Sequence, residues 1–139
     1  MPKLSRLYIK LGFAYFVGAM LLGIAMYAQP LFNLPRWIAT LHPVYLHWIT
    51  IGWLTQLIFG VAYWMFPKYS KEQPRGNEKV GWVVLIALNA GLILRTIGEP
   101  LAALMPDKGY GWLLVLASLL LLIAGWGFVF NTWSRVKEH

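Results

Sequence analysis

Apolar positions along this chain gather into four stretches, at roughly 7–28, 43–66, 80–104 and 109–130. Each is long enough to cross a bilayer as a helix, which takes about 20 mostly apolar residues. Proline and glycine punctuate them: Pro30 and Pro35 after the first, Pro67 and Pro74 after the second, Pro106 with Gly109 and Gly111 after the third. Such residues end helices where the chain reaches water. The pattern predicts an all-α fold, a four-helix transmembrane bundle forming one membrane domain over 1–139. The 29–41 stretch is long for a tight helical hairpin. Its Leu31, Phe32, Leu34, Trp37 and Ile38 are expected to lie along the outer membrane surface as a short amphipathic segment. The first span has a basic lead of Lys3, Arg6 and Lys10, as a signal peptide would. Its apolar core is too long for one, and Met26 stands where cleavage after Ala28 would need a small residue.

Composition agrees. Apolar and aromatic residues make up 59% of the chain, charged residues 12%, and the mean hydropathy is +0.59. A soluble domain carries about 25% charged residues, and disordered chains carry more still. The chain has no cysteine, which excludes disulfides, thiolate metal sites and covalent heme attachment. A net charge of +7 would point to nucleic acid in a soluble protein, but its distribution explains it otherwise. Lys3, Arg6, Lys10, Lys68, Lys71, Arg75, Lys79, Arg135 and Lys137 fall on one side, Arg36 and Lys108 on the other, and Arg95 inside a span. The positive-inside rule then places both termini in the cytoplasm, and no nucleic-acid partner is implied. Trp37, Trp64, Tyr69, Trp82, Tyr110, Trp112 and Trp133 flank the spans as interfacial anchors.

Ionisable side chains are costly in lipid, so those that remain within spans are candidates for function. There are four: His42 and His47 at the outer end of the second span, Arg95 and Glu99 in the outer half of the third. At 1.5 Å per residue, Arg95 lies about 14 Å and Glu99 about 8 Å inside the end of the third span. His47 lies about 6 Å deep if its helix starts near Pro43, and about 18 Å if it starts near Pro35. Arg95 and Glu99 are four apart and share a helix face. They form either a self-neutralising ion pair or a site in which Glu99 orients Arg95 towards an anionic ligand such as a carboxylate, to which a planar guanidinium is suited. Asn89, Gly91 and Gly98 on the same helix permit close approach of a neighbour. His42 and His47 stand about 140° apart around a regular helix, so they do not readily hold one metal from a single rod. Each is either an interfacial hydrogen-bonding residue or a metal ligand.

The run LHPVYLHWITIGWLTQLIFGVAYWMFP contains His47, then Gly52-Trp53-Leu54-Thr55, Phe59-Gly60-Val61-Ala62-Tyr63 and Phe66-Pro67. It resembles the second transmembrane helix of subunit I in the heme-copper oxidase superfamily, which includes the cytochrome oxidases and nitric oxide reductases. It is closer still to small membrane proteins related to that subunit. The resemblance covers about 27 residues, and the rest of the chain follows only in topology. It implies a heme b with His47 as an axial ligand near the outer side, in a prokaryotic cell membrane. It also implies an arginine on the heme propionates, a part Arg95 could take by chemistry, though no motif marks it. Gly52 and Gly60, about 80° apart on a helix, would border a groove for a flat macrocycle.

The departures matter as much. Family members often carry a second histidine two residues before the first, where this chain has Tyr45. No other span holds a histidine; His139 is the last residue. A complete heme-copper catalytic centre is therefore not encoded, and enzymatic turnover is left open. The opposite axial ligand must come from another chain, most simply a second copy in a twofold homodimer. Either one His47 from each protomer clasps a single heme, or His47 of one pairs with His42 of the other at two equivalent sites. Met65 and Met105 are alternative axial ligands, and a five-coordinate heme with an open side for a gas is another form. The expected role is electron transfer, gas binding or heme handling beside a respiratory-chain component, with quinone reaching the protein laterally through lipid. Two other functions stand beside it: a cofactor-free accessory subunit of a larger oxidase or reductase, and a small proton or ion carrier built on Arg95 and Glu99.

Overall fold

The computed structural model describes residues 1–71 and 74–136. It is all-α: four helices are long and apolar enough to cross a membrane, Lys3–Leu31, Arg36–Met65, Glu78–Leu104 and Gly111–Arg135. The first ends in a tight turn at Asn33, whose φ of 50° is left-handed, a conformation asparagine tolerates better than most residues. The Gln29 side chain closes that turn on the Leu34 carbonyl at 3.1 Å. The third helix starts at Asn77, whose side chain accepts from the Lys79 and Val80 amides, a cap that satisfies two otherwise orphaned donors.

The second span is longer than its apolar stretch predicts. A 3-10 turn at Arg36–Leu41 leads directly into the α-helical His42–His47. Pro43 sits in the first turn of that α segment, where its missing N–H costs nothing. The predicted surface-lying segment is thus divided: Leu31 ends the first helix, while Trp37 and Ile38 are wound onto the head of the second span, with Trp37 exposed. Below His47 the helix widens into a π segment, Trp48–Thr55, and then returns to α over Gln56–Met65.

The helices pack as two antiparallel pairs. A methyl added at Gly52 would lie 2.6 Å from Tyr15 Cγ and one at Gly60 2.8 Å from Tyr8 Cβ, so both glycines exist to admit tyrosines of the first helix. The positions expected to border a groove for a macrocycle are occupied by the first helix. The third and fourth helices approach in the same way, with Leu121 against Gly91 and Leu113 and Leu114 against Gly98. The two pairs meet in a core of Leu4, Tyr8, Tyr63, Val84, Leu85, Leu88, Leu92 and Ala124. Phe59 stacks on Phe128 across it at 3.7 Å. The third helix is the most enclosed, while the first and fourth turn most of their apolar surface outward, as lipid-facing helices do.

The first helix begins, the second and third join, and the fourth ends at one end of the bundle. Tyr8 Oη donates to the Gly81 carbonyl there at 3.1 Å. Arg135, fully buried, donates from Nε to Pro67 O and from its terminal nitrogens to the carbonyls of Tyr63, Phe66 and Arg75. Its guanidinium also lies near the Tyr63 and Phe66 rings. Lys137 and His139 lie outside the described residues.

Candidate functional site

Three of the four ionisable residues predicted within spans meet at the opposite end of the bundle. Glu99 is set by the third helix with its side chain 7% exposed, and Arg95 stands one turn before it. Arg95 donates from one terminal nitrogen to Glu99 Oε1 at 2.9 Å and from the other to Ser118 Oγ, on the fourth helix, at 2.8 Å. Ser118 in turn donates to the Leu114 carbonyl. From the second helix, His47 Nδ1 lies 3.1 Å from Glu99 Oε1 and 2.8 Å from the Pro43 carbonyl. Trp48 reinforces this seam by donating from Nε1 to Thr96 Oγ1 at 2.9 Å, and its ring meets Tyr15 edge-on. The network therefore ties together the second, third and fourth helices.

The geometry fixes the histidine's tautomer. Pro43 O has no hydrogen to give, and Glu99 Oε1 already accepts from Arg95. Both neighbours of Nδ1 are acceptors, so Nδ1 carries the proton. In a neutral imidazole the lone pair is then on Nε2. Nε2 has no hydrogen-bond partner among the described residues, and the side chain is 26% exposed. Metal-binding histidines are built in this manner, one ring nitrogen held by a carbonyl or carboxylate and the other left for the metal.

Two polar atoms in the cluster, Glu99 Oε2 and Arg95 Nε, are buried without a partner, an expensive condition in a low-dielectric interior. Arg95 and Glu99 form the ion pair that their spacing allows, and His47 Nδ1 lies against the same carboxylate oxygen.

His42 does not join the cluster. It is exposed, its ring 6.4 Å from that of Tyr45. Met65 ends the same span, 18 residues or about 27 Å along the helix from His47, too far to serve the same iron. Met105 is an exposed residue just past the third helix. Among the described residues no three His, Cys, Asp or Glu side chains come together as a metal site.

Ser118 and the Trp48–Thr96 bridge were not foreseen, because hydroxyls and indoles are unremarkable in spans. A further polar pair, Gln56 and Asn89, lies deeper in the bundle. Asn89 Nδ2 donates to the Leu85 carbonyl and to Gln56 Oε1, leaving Gln56 Nε2 buried and unpartnered. Asn89 also borders a cavity of about 540 Å³ walled by Tyr15, Trp48 and Trp82. Trp82, expected as an interfacial anchor, also lines this cavity.

No family model, curated protein or solved structure matches this chain. The likeness of its second span to an oxidase helix rests on the residues of that span alone.

Proposed function

We propose that this is a membrane heme b protein in which His47 Nε2 is an axial ligand to the iron and a second copy of the chain supplies the ligand opposite. The observation that carries this reading is the pair of acceptors on His47 Nδ1, which leaves Nε2 with its lone pair and no partner among the described residues. With Tyr15 and Tyr8 filling the glycine positions of the second span, a porphyrin reaches His47 only from the outside of the bundle. A flat ring there has one face on this chain and the other open, which favours a homodimer clasping it over a single-chain site. The exposed His42 is the partner residue in one geometry, a second His47 in the other. Bound in this way, heme supplies one-electron transfer or gas ligation; the chain's residues hold and orient the imidazole and keep the paired charges of Arg95 and Glu99 beside it. The basic residues at the 67–79 end support a cytoplasmic position for that end, with the His47 cluster then near the outer side.

Hemin titration of detergent-solubilised apoprotein, followed by absorbance, tests the reading. Saturable binding that disappears in His47→Ala is expected. A ratio of about one heme per chain selects the His47–His42 geometry and about one-half selects His47–His47. Wild-type protein that takes up no more hemin than His47→Ala overturns the proposal. Co-purification of such a colourless protein with a larger oxidase or reductase then assigns it as an accessory subunit.

A further inference from the structure

We propose that a cavity at the 67–79 end of the bundle holds the phosphate of an anionic phospholipid headgroup, with Tyr63, Arg75 and Lys79 as its donors. The inference is independent of the heme reading. Arg75 and Lys79 line a cavity of about 350 Å³ together with Tyr63, Asn77, Glu78 and Pro2, a volume within the ~300–1,000 Å³ of ligand pockets. Its walls come from the points where helices leave the membrane. Pro2 precedes the first helix, Glu78 opens the third, and Tyr63 lies in the last turn of the second. Lipid headgroups occupy that level of a bilayer. The charge there is unbalanced. Among the described residues, Arg75, Lys79, Glu78 and Arg135 make no ion pair. The buried Arg135 guanidinium donates only to backbone carbonyls, among them those of the cavity residues Tyr63 and Arg75, so no carboxylate cancels its charge. Three cations stand against one carboxylate, and Glu78 suits its exposed place in the first turn of the third helix, where the dipole favours an anion. Tyr63 is a second, independent observation. The residue is 3% exposed, yet its hydroxyl has no hydrogen-bond partner among the described residues, which is costly for a buried polar group. Tyr63 Oη stands at the first turn of the third helix, 3.1 Å from where a Cβ on Gly81 would lie. That same turn supplies Glu78 and Lys79 to the cavity. Phosphate oxygens accept from a hydroxyl and from the planar fork of an arginine together, and basic pockets between spans hold lipid headgroups in this way.

Native mass spectrometry of the full chain in neutral detergent, titrated separately with phosphatidylglycerol, phosphatidylcholine and inorganic phosphate, tests this. Wild type is expected to retain phosphatidylglycerol about tenfold more tightly than either of the others. Tyr63→Phe keeps the ring beside Arg135 and removes only the hydroxyl. Arg75→Gln/Lys79→Gln removes charge from the cavity without touching the core, so it serves even if the tyrosine variant does not fold. Each is expected to weaken phosphatidylglycerol binding about tenfold, as the loss of a hydrogen bond to a charged group does. Lys68→Gln/Lys71→Gln removes as much charge outside the cavity and is expected to bind as wild type does. Equal retention of the two lipids by wild type, or wild-type affinity in either cavity variant, would overturn the proposal. An equal loss in Lys68→Gln/Lys71→Gln would overturn it too, because the attraction would then be diffuse rather than sited. Inorganic phosphate that binds more tightly than either lipid would reassign the cavity to a soluble anion and overturn the lipid as its occupant.

Discussion

Arg135 shows how much one side chain can hold. Its guanidinium serves carbonyls that lie 60 to 72 residues back in the chain, on Tyr63, Phe66, Pro67 and Arg75. Three of these belong to the last turn and exit of the second span, where the final carbonyls of a helix lack intrahelical donors. A lysine has one nitrogen and no planar fork, so it cannot replace this pattern. Arg135→Ala is expected to cost about 2–4 kcal/mol, since it strips charged hydrogen bonds and leaves buried acceptors unpaired. Thermal unfolding in detergent measures this; an unchanged transition would mean that water replaces the guanidinium. In the sequence Arg135 reads as one more cytoplasmic positive charge. Nothing local distinguishes it from its neighbours, because every partner comes from tertiary packing. His47, Arg95 and Glu99 were more legible: lipid penalises each of them, and helical rise alone put all three in the same half of the membrane. That spacing could not supply the 3.1 Å contact between His47 and Glu99, which depends on the register between the second and third helices.

Among the elements, the second span departs most from its pattern. Hydropathy marks its apolar part well but misses its start, because Arg36 and Thr40 interrupt the apolar run and Pro43 sits where proline is harmless. The π segment Trp48–Thr55 is also illegible in composition. Thr55 Oγ1 bonds the Thr50 carbonyl five residues back, which satisfies an acceptor in the widened turns. π-bulges accommodate an extra residue and cluster at functional sites. Here the widening sets the rotation of His47 relative to the lower half of the helix, where Gly60 is seated on Tyr8. Deleting the exposed Leu54 is expected to restore α geometry and turn His47 about 100° away from Glu99. The protein should still fold but retain little heme; wild-type heme content in the deletion variant would contradict a role for the π segment. At the seam between the first two helices, Gly52→Ala forces Cβ to within 2.6 Å of Tyr15. Overpacking of this kind costs about 1–3 kcal/mol, to be seen as a lowered melting temperature without loss of secondary structure by circular dichroism.

At the scale of the whole molecule, four apolar helices define an integral multi-pass membrane protein, and this was the most legible feature, since a bilayer demands length and apolarity of every span. Both ends of the described chain lie at the same end of the bundle as the basic 67–79 connection. The chain has no native cysteine, so single cysteines report sidedness cleanly. Asp107→Cys is expected to react with a membrane-impermeant thiol reagent applied outside, and Ser134→Cys only after permeabilisation; the reverse would invert the orientation and put His47 near the cytoplasmic face. The outward apolar faces of the first and fourth helices suit lipid or another subunit equally. On the heme proposal, the polar cluster is what separates this chain from a bare scaffold. The most direct measurement is the absorption spectrum of protein purified from heme-replete cells, recorded for wild type and His47→Ala at equal concentration. A Soret band that survives purification in wild type and vanishes in His47→Ala is the expected result; a band of the same height in both, or none in either, would contradict an iron ligand at His47.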